Sequence, residues 1–426
     1  MEQEPTAKSD GPARSWWPLG RIKPKDRAPR LRWRLWLIAG AVAMVGVARL
    51  CAAFPAFTET VYANGVWPLI GRALAWVSGL VRFSVAEVIL GVLLASIVLL
   101  FLRAAYQVLR GRRRALNAVA CGGLFLVTTM AVLLVLFYAL WGLNYSRPPL
   151  VARMQWQDLA KELPRDEGTQ ELARLCEELV AATNDAYQQA LGTEDLGEPS
   201  APPTSIAAVD DSIERAYMRV AERLDLPASF AARRAAAKAV AGSVVMSHLL
   251  ISGVYSPWTG EANYNRLPPA CGIPHTIAHE KSHQRGITSE DEANFYGFLA
   301  CAHSDQPYIR YSGYFFAQRQ LLGELYKADR DRAKALLKAR LPGVQRDVDA
   351  IRAYVMRHVG PVSKASHKVN NAYLKANRVK GGTLSYRMSA RLLVTFARMN
   401  GGSCVVPAQQ APPGVRAAST YAPSRS

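Results

Sequence analysis

The chain has 426 residues, half of them apolar, and a formal net charge of +19. That length has room for two or three domains, and the apolar share is high for a soluble protein yet low for a polytopic transporter, so a membrane portion joined to a soluble portion fits. The basic residues form no stripe interleaved with aromatics and no nucleic-acid-binding motif is present, so nucleic acid is excluded as a partner. The charge gathers at the flanks of apolar runs instead, with nine Lys/Arg against four acids in the first 34 residues and arginines at 103, 110, 112, 113 and 114.

Residues 1–33 read as a disordered, Pro-containing basic tail. A membrane portion is expected over 34–145. Its first span runs about 35–54, with Arg49 snorkelling at the far end. The stretch from Pro55 to Arg82 contains the short amphipathic run WPLIGRALAWVSGL and reads as an interfacial or re-entrant helix. The second span is about 84–102, with Glu87 near one end, and the third, free of charge, about 118–141. Trp141 and Tyr145 are expected in the aromatic belt. The basic tail and the RGRRR loop both belong in the cytoplasm by the positive-inside rule. Three spans satisfy this with the N-terminus inside and everything from Pro148 outside, in a multi-pass protein of the plasma membrane.

The outer portion, 146–400, reads as mainly helical. Helices are expected over Gln157–Leu191, Asp210–Glu222, Ser229–Ala241, Tyr308–Tyr326, Asp329–Ala339, Val344–His358, Ser363–Ala376 and Ser385–Met399. Ser243–Tyr255 is richer in Val, Ile and Ser and reads as a short strand or irregular edge. Residues 401–426 read as a second disordered tail. Six cysteines occur without a Cys-x-x-Cys pair, which argues against a zinc ribbon. Cys271 and Cys301 read as a disulfide or as buried thiols. No phosphate-binding Gly-rich loop, dinucleotide fingerprint or Gly-x-Ser-x-Gly elbow is present, which argues against nucleotide use and serine hydrolysis.

The chemistry concentrates between Pro274 and Cys301. His279, Glu280 and His283 spell His-Glu-x-x-His. Residues four apart share a helix face, so the two imidazoles are placed to hold one zinc ion. Glu280, about 100° round the helix, is placed to take a proton from the water that the metal polarises. Gly286 offers a stop for this helix, and Thr288 or Ser289 an N-cap for the next, with Glu290, Asp291 and Glu292 in its first turn. Glu290 is the expected third ligand and Glu292 its alternative. Asn294, one turn beyond Glu290, is expected to hold a ligand histidine in place. His303, Tyr255 and Tyr264 are the candidates for an oxyanion or substrate donor, with Tyr311 and Tyr314 behind them. His275 reads as a capping or surface residue.

The pattern Glu290, Ala293, Asn294 after His-Glu-x-x-His resembles the gluzincin class of metallopeptidases. The closer resemblance is to the bacterial membrane family called Domain of Unknown Function 3810. It is carried by TGEANYN (Thr259 to Asn265), HEKSHQRGI (His279 to Ile287), EDEANF (Glu290 to Phe295), WGLNY (Trp141 to Tyr145) and YLKANRVKGGTLSY (Tyr373 to Tyr386). The resemblance implies a membrane-anchored zinc peptidase with no settled substrate and singles out Glu261 and Asn263; with the spans read above, the expected fold is mainly α, three transmembrane helices followed by an α-rich zincin-like domain. One residue departs from it. Lys281 stands where an uncharged residue is usual, and needs water or a carboxylate partner. The expected activity is zinc-dependent hydrolysis of peptide bonds in a peptide or protein substrate, with the lipid bilayer as the other partner. The alternative is a non-catalytic scaffold or sensor with a structural or vestigial zinc site.

Overall fold

A computed structural model describes residues 27–112, 114–193, 197–376 and 385–407. Three helices in it are long and apolar enough to cross a membrane: Arg32–Ala53, Val85–Leu109 and Ala115–Leu140. With 22, 25 and 26 residues, at about 1.5 Å each, they reach across a ~30 Å hydrocarbon core. The first and third pack together, and the second packs on the third. The first of these helices begins at Arg27, so the basic tail gives way to helix before residue 33; residues 1–26 lie outside the described ones.

Between the first two candidate spans the chain stays mostly helical, in pieces too short to count as crossing candidates. Pro55–Phe57 leads into a π-helical stretch, Thr58–Val66, and then a helix, Trp67–Gly79. Its Trp67, Pro68, Gly71, Ala75 and Ser78 are buried, while Leu69, Trp76, Val77 and Leu80 are exposed. This is the short amphipathic segment expected from the sequence. Its buried face packs on the outer domain.

That outer domain is α-rich, with helices at Arg165–Leu191, Ile206–Arg223, Ile273–His283, Glu290–Ala302, Pro307–Ala328, Arg330–Lys338, Pro342–His358, Pro361–Ala376 and Ser385–Met399. At its centre runs Glu290–Ala302, buried at every residue from Glu292 on. The helices Ile206–Arg223, Ile273–His283, Pro307–Ala328 and Ser385–Met399 surround it. A three-stranded sheet, β1 (Lys238–Ala239), β2 (Gly253–Ser256) and β3 (Glu261–Tyr264), has the order β1-β3-β2. β1 runs parallel and β2 antiparallel to β3.

Three expectations change. The helix expected over Ser229–Ala241 is a single turn, Ala228–Ala231, followed by extended chain into β1. Alanine favours helix here, but tertiary acceptors win. The Arg234 N–H donates to Glu214 (3.0 Å) and that of Ala237 to Asp210 (2.9 Å). Ser243–Tyr255 divides into a helix, Ser243–Leu249, and β2, with Leu250 in the left-handed region at φ 55° between them. The start of the expected C-terminal tail is also packed. Cys404 and Val406 are buried, and Val406 donates its N–H to the Tyr314 hydroxyl at 3.1 Å. Residues 408–426 lie outside the described ones.

Sheet and membrane helices are joined by carboxylates. Glu261 on β3 accepts the N–H groups of Val85 (2.9 Å) and Ala86 (2.7 Å), capping the second span. It also holds Lys238 (2.6 Å) and Thr259 (2.8 Å). In the other direction, Glu87 of the second span accepts the N–H groups of Ala241 (2.9 Å) and Gly242 (2.6 Å). The TGEANYN stretch therefore works as a joint, and Asn263 supports it with a bond from Nδ2 to the Glu261 carbonyl (3.3 Å).

Candidate metal centre

The helix Ile273–His283 begins with Pro274 in its first turn and ends against Gly286, whose φ of 82° suits glycine. The Ile287 N–H returns to the Ser282 carbonyl at 3.2 Å. This turn brings Glu290, at the start of the central helix, back over the histidines. His279 Nε2 and His283 Nε2 are 3.1 Å apart. Glu290 Oε2 is 3.3 Å from the first and Glu290 Oε1 3.7 Å from the second. Ligand atoms at ~2.0–2.1 Å from a tetrahedral zinc lie about 3.3 Å from one another. The three side chains therefore have the spacing of a zinc half-shell, and they form a group able to hold a metal ion.

The other ring nitrogens are already engaged. His279 Nδ1 donates to Asn294 Oδ1 (2.9 Å) and His283 Nδ1 to the Ile287 carbonyl (2.6 Å). Each bond leaves Nε2 as the nitrogen facing the shared hollow. Asn294 is itself held, by a bond from Nδ2 to Ser389 Oγ (3.3 Å). Burial disfavours charge on His279, but Glu290 and Glu280 outweigh it and raise the imidazole to about 9, whereas burial drops His283 to about 4. The hollow thus favours a proton on His279 over one on His283.

Glu280 is buried beside β2. Asn265 N–H bonds the Ser252 carbonyl (2.8 Å), and the register pairs Val254 with Asn263. In an antiparallel ladder the backbone groups of Gly253 and Tyr255 then point away from β3. The Tyr255 N–H is taken by Glu280. A side chain at Gly253 would start 2.5 Å from Glu280 Oε1, so only glycine leaves the carboxylate where it is. Glu280 Oε2 has no partner among the described residues. Burial pushes this carboxyl up to about 8, with His279 drawing it the other way.

The opposite side of the motif helix is locked by charge. Lys281 is fully buried and reaches Glu214 (2.7 Å), Asp210 (3.1 Å) and the Ala235 carbonyl (3.0 Å). Arg285 reaches Glu214 at 2.8 Å and lies 3.8 Å over the Tyr217 ring. The unusual lysine thus has its carboxylate partners, on the face away from His279.

The third span supplies a wall. Trp141 is buried and donates its indole N–H to the His283 carbonyl (3.1 Å), its ring centroid 6.1 Å from that imidazole. It therefore sits in the protein and not in an aromatic belt facing lipid. The Tyr145 and Tyr373 hydroxyls lie 3.1 Å apart, close enough to Glu290 to feel its charge.

Other candidates are placed elsewhere. Glu292 accepts the Leu150 N–H (2.7 Å) and pairs with Arg153, away from the histidines. His303 caps the far end of the central helix, about 20 Å along it from Glu290. Tyr264 packs in the core beside Asp210 and Arg266. Tyr255 stacks near Trp141 and His283 and contributes its N–H; its hydroxyl is buried, near Arg234 and Tyr62. Tyr311 is bound to Asp347 (2.6 Å) and Tyr314 to the Val406 carbonyl (3.2 Å). His275 is buried, stacked 3.7 Å from Phe316, with Nε2 donating to the Asn294 carbonyl (3.3 Å). Cys271 and Cys301 are buried free thiols.

Sequence reasoning missed Gly253, Trp141, Ser389 and the Asp210–Glu214 pair as supports of this centre. Only Asp210 and Glu214 carried a signal, being four apart on a helix and able to answer Lys281. No curated protein and no solved structure matches the chain. Residues 62–394 match the family described as protein of unknown function (DUF3810). That match takes in most of the segment between the first two candidate spans, the second and third candidate spans, the sheet and both helices of the centre, and the chain belongs to that family.

Proposed function

We propose that the protein is a membrane-anchored zinc metallopeptidase of zincin-like architecture, hydrolysing peptide bonds on the extracytoplasmic face. The observation that carries this reading is the convergence of His279 Nε2, His283 Nε2 and a Glu290 carboxylate within 4.8 Å of one another, with a buried, half-unpartnered Glu280 beside them. Two nitrogens and a carboxylate are the ligand set of a catalytic zinc with an open position. Bound zinc supplies a Lewis acid and brings water into the range of ionisation near pH 7.

The rest is the work of the chain. Glu280 accepts the proton of the attacking water and passes it to the leaving amine. Its burial suits this, because a carboxyl raised toward neutrality both takes and gives a proton near pH 7. The outward backbone of β2 at Gly253 pairs with an extended substrate in the strand-addition mode, the Tyr255 N–H being engaged by Glu280. Tyr145 and Tyr373, beside Glu290, are the hydroxyls placed to meet a developing oxyanion. The orientation follows from the basic tail and the RGRRR loop on the cytoplasmic side.

The alternative is a non-catalytic scaffold or sensor with a structural or vestigial zinc site, and the feature that would favour it is Lys281. That residue is satisfied by Asp210 and Glu214, so it argues neither for a wet nor for a disabled motif. The test is zinc content by mass spectrometry in detergent-purified protein, together with cleavage of a peptide library. Wild type and Glu280→Gln are expected to hold one zinc per chain and His283→Ala none, with cleavage in wild type alone. Cleavage surviving in Glu280→Gln would sink the mechanism.

A further inference from the structure

A second cleft lies apart from the metal centre, between the segment that joins the first two candidate spans and the outer domain. Its volume is about 330 Å³, within the range of small-ligand sites. Trp67, Arg234 and Tyr296 line it, with Arg147, Arg153 and Arg285.

Three of these four arginines are answered by acids: Arg147 by Glu59 (2.6 Å), Arg153 by Glu292, and Arg285 by Glu214 (2.8 Å). Arg234 is not. It is 5% exposed, and its Nη2 donates to the Ser229 carbonyl (3.1 Å). Its Nε and Nη1 have no partner among the described residues. Glu214 accepts its backbone N–H (3.0 Å), but the carboxylate is already shared between Lys281 and Arg285. Burial, with Arg285 and Arg72 nearby, lowers the Arg234 guanidinium to about 10, which leaves it charged at neutral pH. A buried charge without a counter-charge is strongly disfavoured, so the site is primed for an anion.

Trp67 and Tyr296, which line the same cleft, each have a buried polar group without a partner among the described residues, the indole N–H, close to Gly286, and the phenol hydroxyl. The indole and the guanidinium can only donate, and the hydroxyl is able to. Such a set matches an oxyanion with many acceptor lone pairs, and the planar guanidinium edge fits phosphate two-pronged. The cleft is also lined by Glu59, Asn64 and Pro68, which follow directly on the first candidate span, ending at Ala53. This position lies beside the expected level of phospholipid headgroups.

We infer that this cleft binds a phosphate-class anion, held by Arg234 with Trp67 and Tyr296. The source is either a phospholipid headgroup or free phosphate, and one experiment separates them. The full chain, purified in dodecyl maltoside without phosphate buffer, is unfolded thermally against rising inorganic phosphate, and in parallel against phosphatidylglycerol added to the micelles. Wild type should gain about 3 °C or more at saturation from one of the two. A gain from the lipid alone assigns a headgroup, and a gain from phosphate assigns the free anion. Arg234→Gln should lose the gain. Tyr296→Phe, which keeps ring and volume, should weaken it by roughly three- to tenfold in apparent Kd, the share of one hydrogen bond. His283→Ala should keep it, because the cleft does not share the metal ligands. No saturable gain in wild type from either probe, or an equal gain in Arg234→Gln, overturns the assignment and leaves Arg234 a hydrated arginine. Should Arg234→Gln fail to fold, an unchanged response in Tyr296→Phe overturns it equally.

Discussion

His279 and His283 each have one nitrogen committed before any ligand arrives. This is the residue-scale reason that the centre is sharp. Asn294 sets the ring of His279 at 2.9 Å and is in turn held by Ser389. Replacing Asn294 with Leu should lower zinc affinity by about 10- to 100-fold, the usual effect of losing a support of this kind. A competition assay with a chromogenic chelator checks it, and an unchanged affinity would show that the ring is held by packing alone. The motif itself was legible from spacing, as were Glu290 and Asn294, because positions four apart on a helix must share a face. That Lys281 needs water or a carboxylate was legible, but not that it is buried against two of them. Its partners, Asp210 and Glu214, lie about 70 residues upstream, and nothing local marks a lysine as buried.

At the scale of elements, two glycines set how closely the parts of the centre approach. A side chain on Gly297 would lie 3.1 Å from the His279 backbone nitrogen, so the central and motif helices meet backbone to backbone there. Gly297→Leu should force them apart, carry Glu290 and Asn294 away from the histidines, and reduce bound zinc below half an equivalent per chain by mass spectrometry. Gly253→Ala makes a different prediction. It displaces the end of Glu280 and leaves the ligands alone, so zinc content should stay at one while peptide cleavage falls by at least about tenfold, the scale of a misplaced general base. The long periodic helices were readable because their apolar faces repeat every three to four residues. Ser229–Ala241 was misread for the opposite reason. Its local composition is helical, but the carboxylates of Asp210 and Glu214 take its N–H groups, and no window of sequence contains that competition.

At the scale of the whole molecule, acid should act through Glu214. Burial alone would raise its carboxyl, but Arg285 and Lys281 outweigh burial and hold it at about 2, below the ordinary 4.5. A carboxyl depressed in the folded state contributes stability fully above the unfolded value and loses it as pH falls through the folded one. The unfolding temperature should therefore decline between about pH 4.5 and 2, and Glu214→Gln should show a flatter decline from a lower starting point. Truncating the lysine instead, as Lys281→Ala, leaves Glu214 with Arg285 but takes from buried Asp210 its lysine partner. That should cost about 3–5 kcal/mol in denaturant unfolding, far more than an exposed lysine would.

The hydrogen bonds at the ends of the spans have a practical side. Hydropathy divides the chain near residue 145, and a secreted version starting at Pro148 is the obvious reagent for crystallisation or assay. Such a fragment would leave the His283 carbonyl without the Trp141 indole, Glu261 without the helix start that it caps, Gly286 without the covering Trp67 ring, and the β3 face of the sheet bare. It should come out as an aggregating, metal-poor protein even if every motif residue is intact. The smallest unit worth purifying is the chain with its spans, in detergent or nanodiscs.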